Sequence, residues 1–539
     1  MHSTIDGHGP LDAKLICVGE APGEEEIKQG RPFVGASGRF LRGKLSASGM
    51  DPDSVRYENI MNRKPEGNRF DEFLKTPEGI AEVKAAAADL ISRIRERKPN
   101  VVLLMGARPL EFILGKRDVS AWRGHFQWCE ALGCKVMVTY HPSACLRQLN
   151  VDKTMKPGQF AALADIDIKK AVLSASTHDL ILPEYTLVLQ PTYQQVMDSL
   201  DRLEKASLIS FDIETSGRAM TCIGFSDSTD WSICIPLEMI GGEKLTPFWT
   251  DPQQRVNVFR RVAALLESDI PKLAQNGQFD MFILASTFGI KVRNLVWDTL
   301  VAAHNLYCDL PKDLGTLISL YTQMPYHKNW QEQGGGNMGL WRYNALDALV
   351  TYHIYLAQKK EMEELGILQH YQSITQPLIP CLVEMQLVGV KVDTELRDKA
   401  ILREKAFQGE LLTALNAILP DYNPGSWQQR NKLFYDKLGC RVVRKNGSPT
   451  TDQDALAKIA EKDTRPQVKL LCDAHIRYSE SRHMSGVLAT PLLNGRMHTA
   501  YDASGTDTGR LNSKKSIFGT GTNLQNLQKG VQRMMLVPG

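Results

Sequence analysis

The sequence lacks most of the features that would place a chain in a simple class. No uninterrupted apolar run reaches the roughly 18 residues of a membrane-spanning helix. The N-terminus is polar, unlike a secretion signal. Both absences predict a soluble protein of the cytoplasm with no membrane partner. There is no low-complexity tract and no internal repeat, which argues against fibres and solenoids. Charge of one sign is scarce as well: the net charge is +3, too slight to announce a polyanionic partner, so any basic surface must be local. The ten cysteines are scattered without one C-x-x-C pair, which disfavours a disulfide framework and fits reduced thiols.

What is present is ordinary globular composition, 43% hydrophobic and 23% charged, over 539 residues. That length exceeds one hydrophobic core and predicts three or four domains. Residues 1–175 alternate strand-like runs (Leu15–Val18, Val101–Met105, Val136–Tyr140) with helical stretches such as Ala81–Arg97, the pattern of a doubly wound parallel sheet. Functional residues of such folds gather at the carboxyl ends of the strands. A polar connector follows at 176–190. From 191 to 365 a meander of strands, Leu208–Ile213, Cys222–Ser226 and Trp231–Pro236, gives way to helices from about Pro252 onward. Residues 366–539 are helix-rich, with Leu378–Leu387 and Leu396–Ile418 as helices, and loop-rich after Asn494.

Acids stand out in the second segment. Asp212 and Glu214 end an apolar strand and, two apart, share a face. Their repulsion is a cost that a divalent cation offsets. Asp280 follows Asn276 at the start of an apolar helical run, and Tyr343 and Asp347 lie four apart on one helix face. Any one of these has a bland reading as a solvated charge or a packed ring. In this order and at these separations the set resembles the three motifs of the DEDD exonuclease superfamily, in its tyrosine variant. The resemblance implies a ribonuclease H-like domain removing nucleotides from DNA 3′ ends. Asp212, Glu214, Asp280 and Asp347 would ligate two Mg²⁺ or Mn²⁺ ions, Tyr343 and Glu214 would hold the attacking water, and Asn276 would sit near the terminal nucleotide.

The first segment carries Gly19–Glu26, Pro32-Phe33-Val34-Gly35, Asn59, the stretch Lys64–Arg69, and His141-Pro142-Ser143-Ala144. Singly these read as turn chemistry. Together they resemble the uracil-DNA glycosylase superfamily, nearest its family 4. The resemblance implies a flipped base stacked on Phe33 and read by Asn59. Glu20 would orient or activate water, and His141 would stabilise charge on the departing base. Ser143 and Arg147 would belong to a loop pressing into DNA. Family 4 also holds an iron–sulfur cluster on four cysteines. Here no cysteine precedes residue 12, Arg63 stands where the third is expected, and 81–98 contains none, so no cluster is expected.

In the third segment, Glu384–Asp393, Gly495–Thr499, Thr508–Ser513, Asn523–Leu527 and Arg533 resemble the entry into the polymerase region of family A DNA polymerases. The resemblance implies a mainly helical thumb with the start of a palm, and places Arg510, Asn523 and Gln525 along the primer-template. The last 46 residues hold six Lys/Arg against two Asp, a local excess suited to phosphates. The first palm aspartate motif and the fingers lysine have no counterpart before Gly539. The expectation is a phage-like replication or repair protein, one half of a split polymerase completed by a second polypeptide, that proofreads DNA ends and carries a glycosylase-like module. The alternatives are a truncated chain, a non-catalytic primer-template-binding subunit, and a stand-alone protein that excises uracil and trims ends.

Overall fold

Residues Leu15–Gly19 (β1) are buried along their whole length because they lie inside a sheet covered on both faces. The computed structural model describes residues 4–64, 70–147, 158–242, 244–328, 335–445, 447–516, 521–527 and 535–537. The stretch 65–69 and Arg533 lie outside the described residues. β1 pairs in parallel with Arg56–Asn59 (β2) and Val101–Met105 (β3). Next come the antiparallel edge strand Phe126–Cys129 (β4) and Cys134–Thr139 (β5), in the order β2-β1-β3-β5-β4. Alternation sorts the side chains into two cores. Ile16, Val18, Val102, Leu104, Val136 and Val138 face one layer, and Leu15, Cys17, Leu103 and Met137 the other. On the first face lies helix Pro77–Arg97, whose Val83, Ala87, Leu90 and Ile94 recur at helical spacing. Thr76 caps its start, accepting from Gly79 N–H, and Pro77 suits the first turn. Helices Ala36–Ala47 and Gln159–Ser174 cover the second face. The doubly wound parallel sheet expected from the sequence is present, with β4 as an unanticipated antiparallel edge.

The next sheet has six strands, running edge to edge as Leu295–Asp298, Lys272–Ala274, Ile209–Ser216, Ala219–Ser226, Trp231–Pro236 and Thr186–Val188. Ile209–Ser216 (β7), Ala219–Ser226 (β8) and Trp231–Pro236 (β9) form the expected antiparallel meander. A strand the sequence reading missed, Thr186–Val188 (β6), falls in the stretch expected as connector and pairs in parallel with β9. Glu238–Gly241 (β10) and Lys244–Pro247 (β11) make a separate hairpin. Lys272–Ala274 (β12) and Leu295–Asp298 (β13) extend the sheet in parallel from β7, where helices alone were expected. Helix Gly336–Glu364 lies across β7, β8 and β9. Ser210 Oγ donates to Ala348 O and Ser232 Oγ to Ala345 O, both at 2.6 Å. Gly224 permits this approach, since a Cβ there would meet Asn344 O at 2.7 Å.

The chain divides into two compact units, Met1–Leu378 with Asp507–Gly509, and Ile379–Thr506 with Arg510–Gly539. The second is mainly helical. Thr394–Ile418 packs along Pro466–Leu488, which also packs on Gln453–Lys462. Among its described residues are three small strand pairs, Val390–Lys391 with Arg496–Met497, Arg444–Lys445 with Ser448–Pro449, and Ala500–Asp502 with Asn512–Lys514. Among the described residues no helix is long and apolar enough to cross a membrane.

Candidate active sites

Along β7 buried and half-buried positions alternate from Phe211 to Glu214. Phe211 and Ile213 are buried in the core, so Asp212 and Glu214 project from the other face, where helix Gly336–Glu364 brings Asp347 and Tyr343. Carboxylate oxygens of Asp212, Glu214 and Asp347 lie within 4.8 Å of one another. The fourth acid, Asp280, stands apart from that group: its Oδ1 accepts Ile213 N–H at 3.3 Å, bonding it to the strand residue between the other two. Its helix, Gly277–Phe288, is set by Asp298, whose carboxylate accepts N–H from Asn276 and Gly277 while capping the next helix through Leu300. Asn276, exposed and left-handed at φ 57°, makes the turn into that helix.

Burial and then mutual repulsion set the protonation of this cluster. Asp212 is pushed well above the carboxylate range by burial, with Asp347, Asp280 and Glu214 adding to the shift. Burial lifts Glu214 to about 7, with Asp347 adding and Lys328 opposing. Burial also raises Asp280. Asp347 runs the other way: burial pushes it up, but Lys328 and His327 together hold it below its ordinary value. Four acids offering hard oxygens, three of them crowded together, fit a divalent cation, which would relieve the charge they otherwise titrate away.

Sequence reasoning missed three neighbours. Asn344 Nδ2 donates to Asp212 Oδ2 (2.9 Å) and to its backbone carbonyl (3.0 Å), tying helix to strand. His327 Nε2 meets Asp347 Oδ1 at 3.0 Å. Lys328 Nζ pairs with Asp347 and donates to Tyr343 OH at 2.9 Å. Asn344 lies three residues before Asp347, a helical spacing that points to a shared face. His327 and Lys328 lie in a loop with no periodicity to flag them.

At the other site, β1, β2, β3 and β5 end together. Gly19 sits opposite Asn59 in the sheet, and a Cβ there would lie 2.6 Å from both Asn59 Oδ1 and Phe33 Cζ. Phe33 and Asn59 therefore converge over a hydrogen-only backbone, beside Glu20. Phe33 is buried, holds a left-handed φ of 56° and packs its ring 5.8 Å from that of Tyr57. Burial raises Glu20, against the pull of Arg108 and Arg147. His141 follows β5. Its Nδ1 accepts Ser143 N–H at 3.1 Å and lies 2.8 Å from Ser143 Oγ, which in turn accepts from Arg147 Nη2. With Nδ1 accepting, the neutral ring carries its proton on Nε2. Burial, helped by Arg147, lowers His141 to about 4.

The residues present do not suit an iron–sulfur cluster. Arg63 makes a two-pronged pair with Glu82 at 2.5 and 2.6 Å and lies over the Phe73 ring, so the position where the resemblance expects the third thiolate holds a guanidinium already engaged by a carboxylate. Cys17, Cys129, Cys134 and Cys145 are buried in strands and a helix of the fold. In the second unit Arg510 is exposed. Asn523 Oδ1 accepts from Gln525 N–H, and Gln525 Nε2 donates to Leu511 O at 2.9 Å. Both side chains thus brace a turn against the strand at 512–514.

The model of the uracil DNA glycosylase superfamily matches residues 7–162. The chain is similar to the type-4 uracil-DNA glycosylase of Thermotoga maritima, 37% identical over 146 residues that cover 27% of this chain and 72% of that protein. The N-terminal part of the chain belongs to the uracil DNA glycosylase superfamily. C-terminal to this glycosylase domain, residues 190–363 match the 3'-5' exonuclease model of family A DNA polymerases. A DNA polymerase of Bacillus phage SP01 is 22% identical over an alignment covering 95% of this chain and 63% of that protein. Among solved structures the fold resembles one described as the POL domain of Pol1 from M. smegmatis in complex with DNA primer-template and dNTP. The TM-score is 0.50 at 20% identity, covering 66% of this chain and 59% of that one. The chain thus spans less than two thirds of the polymerases it matches.

Proposed function

We propose that this is a DNA replication or repair protein that shortens DNA from the 3′ end and excises uracil. The observation that carries the exonuclease is the meeting of Asp212, Glu214 and Asp347 within 4.8 Å, on a domain matching 3'-5' exonucleases. Two divalent ions, Mg²⁺ by preference, would supply an activated water and stabilise the leaving 3′-oxygen. Asp212, Glu214, Asp280 and Asp347 would hold them. Glu214 and Tyr343 orient the water along the line of displacement, and Asn344 keeps Asp212 facing the helix. Asn276, exposed at the entrance of the Asp280 helix, would lie beside the terminal nucleotide.

In the glycosylase domain Phe33 stacks on the flipped base, and Asn59 reads its pairing edge from beside Gly19. His141 donates from Nε2 to the oxygen on which charge grows as the glycosidic bond breaks, while Glu20 orients the water. Ser143 and Arg147 hold the flanking strand. Excision on this reading needs neither a metal nor a cluster. In the second unit Arg510, Asn523 and Gln525 would follow the primer-template.

The test is a 5′-labelled primer-template with one internal uracil, incubated in Mg²⁺ or in EDTA and developed with alkali. Shortening in Mg²⁺ that disappears in the Asp212→Ala/Glu214→Ala variant establishes the exonuclease. Alkali-sensitive breakage at uracil in EDTA establishes excision. Intact strands from both proteins would leave a DNA-binding subunit as the surviving reading.

A further inference from the structure

The glycosylase and exonuclease domains meet inside the first unit, and the contact runs into the exonuclease site. Helix Leu314–Tyr321 of the exonuclease domain ends against two cations of the glycosylase domain, the buried Arg123 and the half-buried Lys170. Arg123, 2% exposed and paired with Asp167, donates to Ser319 Oγ at 2.9 Å. Lys170 donates to Ser319 O (2.6 Å) and Thr322 O (3.3 Å), and to Gly124 O within its own domain. Carbonyls at a helix C-terminus lack internal partners, and a cation there both satisfies them and opposes the helix dipole. The cations gain equally, since a buried charge without partners is costly.

Beyond the helix the chain keeps to the same surface. Met324 is buried with Leu346 and Leu349 of helix Gly336–Glu364, and its carbonyl meets His125 Nδ1 at 3.3 Å. Tyr326 packs its ring 4.9 Å from Trp122. The next two residues are His327 and Lys328, the partners of Asp347 and Tyr343. The strap 322–328 therefore runs from glycosylase-domain anchors to exonuclease-site side chains. Six residue steps of extended chain span only about 20 Å, leaving little slack to absorb a displaced anchor.

We propose that the glycosylase domain is a working part of the exonuclease: Lys170 and Arg123 fix the strap, and Lys328 at its end positions Tyr343 and Asp347. Lys170 is on this account a positioning residue acting on a reaction in the neighbouring domain. The inference rests on the exonuclease reading, and its test separates the two. Displacing catalytic groups by about 1 Å can cost on the order of 100-fold, and a loosened anchor is expected to cost about a tenth of that.

The measurement is Mg²⁺-dependent shortening of a 5′-labelled single strand by the full chain, as wild type, Lys170→Met, Lys328→Met and the double variant, with Lys170→Arg as the conservative control. Lys170→Met and Lys328→Met should each lower kcat about tenfold, with KM for DNA unchanged. The double variant should be no slower than Lys328→Met alone, because both act through one element, and Lys170→Arg should recover most of the rate. Wild-type kcat in Lys170→Met, or losses that multiply in the double variant, overturns the proposal. Should Lys170→Met fail to fold, Tyr326→Ala takes its place in the same cycle. A wild type with no Mg²⁺-dependent shortening refutes the exonuclease reading instead.

Discussion

Glu214→Gln should make the metal-free protein more stable at alkaline pH while disabling the exonuclease. Burial and Asp347 raise the Glu214 carboxyl from 4.5 to about 7. The folded state therefore binds a proton across that interval which the unfolded chain releases. The stabilisation from that proton is fully present below about pH 4.5 and is lost as pH rises through 7. At pH 8 the ionised wild type carries the whole penalty. The shift of about 2.5 units at 1.36 kcal/mol each gives about 3 kcal/mol as an upper bound, since part of this cost is shared with Asp212 and Asp347. Glutamine keeps the shape and carries no charge. Thermal unfolding in EDTA should show the variant melting a few degrees above wild type at pH 8, up to ~6 °C at about 2 °C per kcal/mol. The gap should shrink at pH 5.5. Mg²⁺ should raise the wild-type midpoint at pH 8 more than the variant's. A gap that is constant with pH, or a variant that melts lower at pH 8, would refute the idea that crowded carboxylates strain the empty site.

Other perturbations separate the two domains. His141→Ala should slow uracil excision about 100-fold or more. Because His141 titrates near 4, wild-type excision should show no inflection near pH 6.5 from this residue, as a pH profile in EDTA would check. Asp298→Ala strips an acceptor from N–H groups at the starts of two helices; urea titration should show a loss of about 3–5 kcal/mol, with exonuclease activity falling alongside. Gly224→Ala places a methyl 2.7 Å from Asn344 O, and this overpacking should cost about 1–3 kcal/mol. It should reduce strand shortening while uracil excision at the same temperature is retained.

The parts of the fold carried by periodicity were legible in the sequence. Helix Pro77–Arg97 was legible from Ala81 onward, its first turn going unread, and β7 shows an alternation that sends Asp212 and Glu214 to one face. β12 and β13 were not legible: three- and four-residue strands such as Lys-Leu-Ala are shorter than any pattern that distinguishes them from helix, and tertiary pairing alone makes them strands. The family motifs named the acids, Phe33, Asn59 and His141, because their chemistry is local to short runs of sequence. They could not name Asn344, His327 or Lys328. A bond from helix to strand or from loop to helix depends on packing between segments far apart in sequence, such as 212 with 344. Nor did the sequence hint that Lys170, on the outer helix of one domain, closes a helix of the next.

The Arg63–Glu82 pair has a practical consequence. It fastens the end of the β2 segment to the helix beside it with groups that neither a chelator nor an oxidant attacks. Metal stripping and peroxide, which would dismantle a fold pinned by iron, leave this fastening in place. On the proposed function, an EDTA-treated sample would keep its glycosylase domain assembled while the exonuclease is switched off, and a returned divalent ion would restore it without refolding. The two proposed chemistries would then be separately addressable by the ion content of the buffer alone.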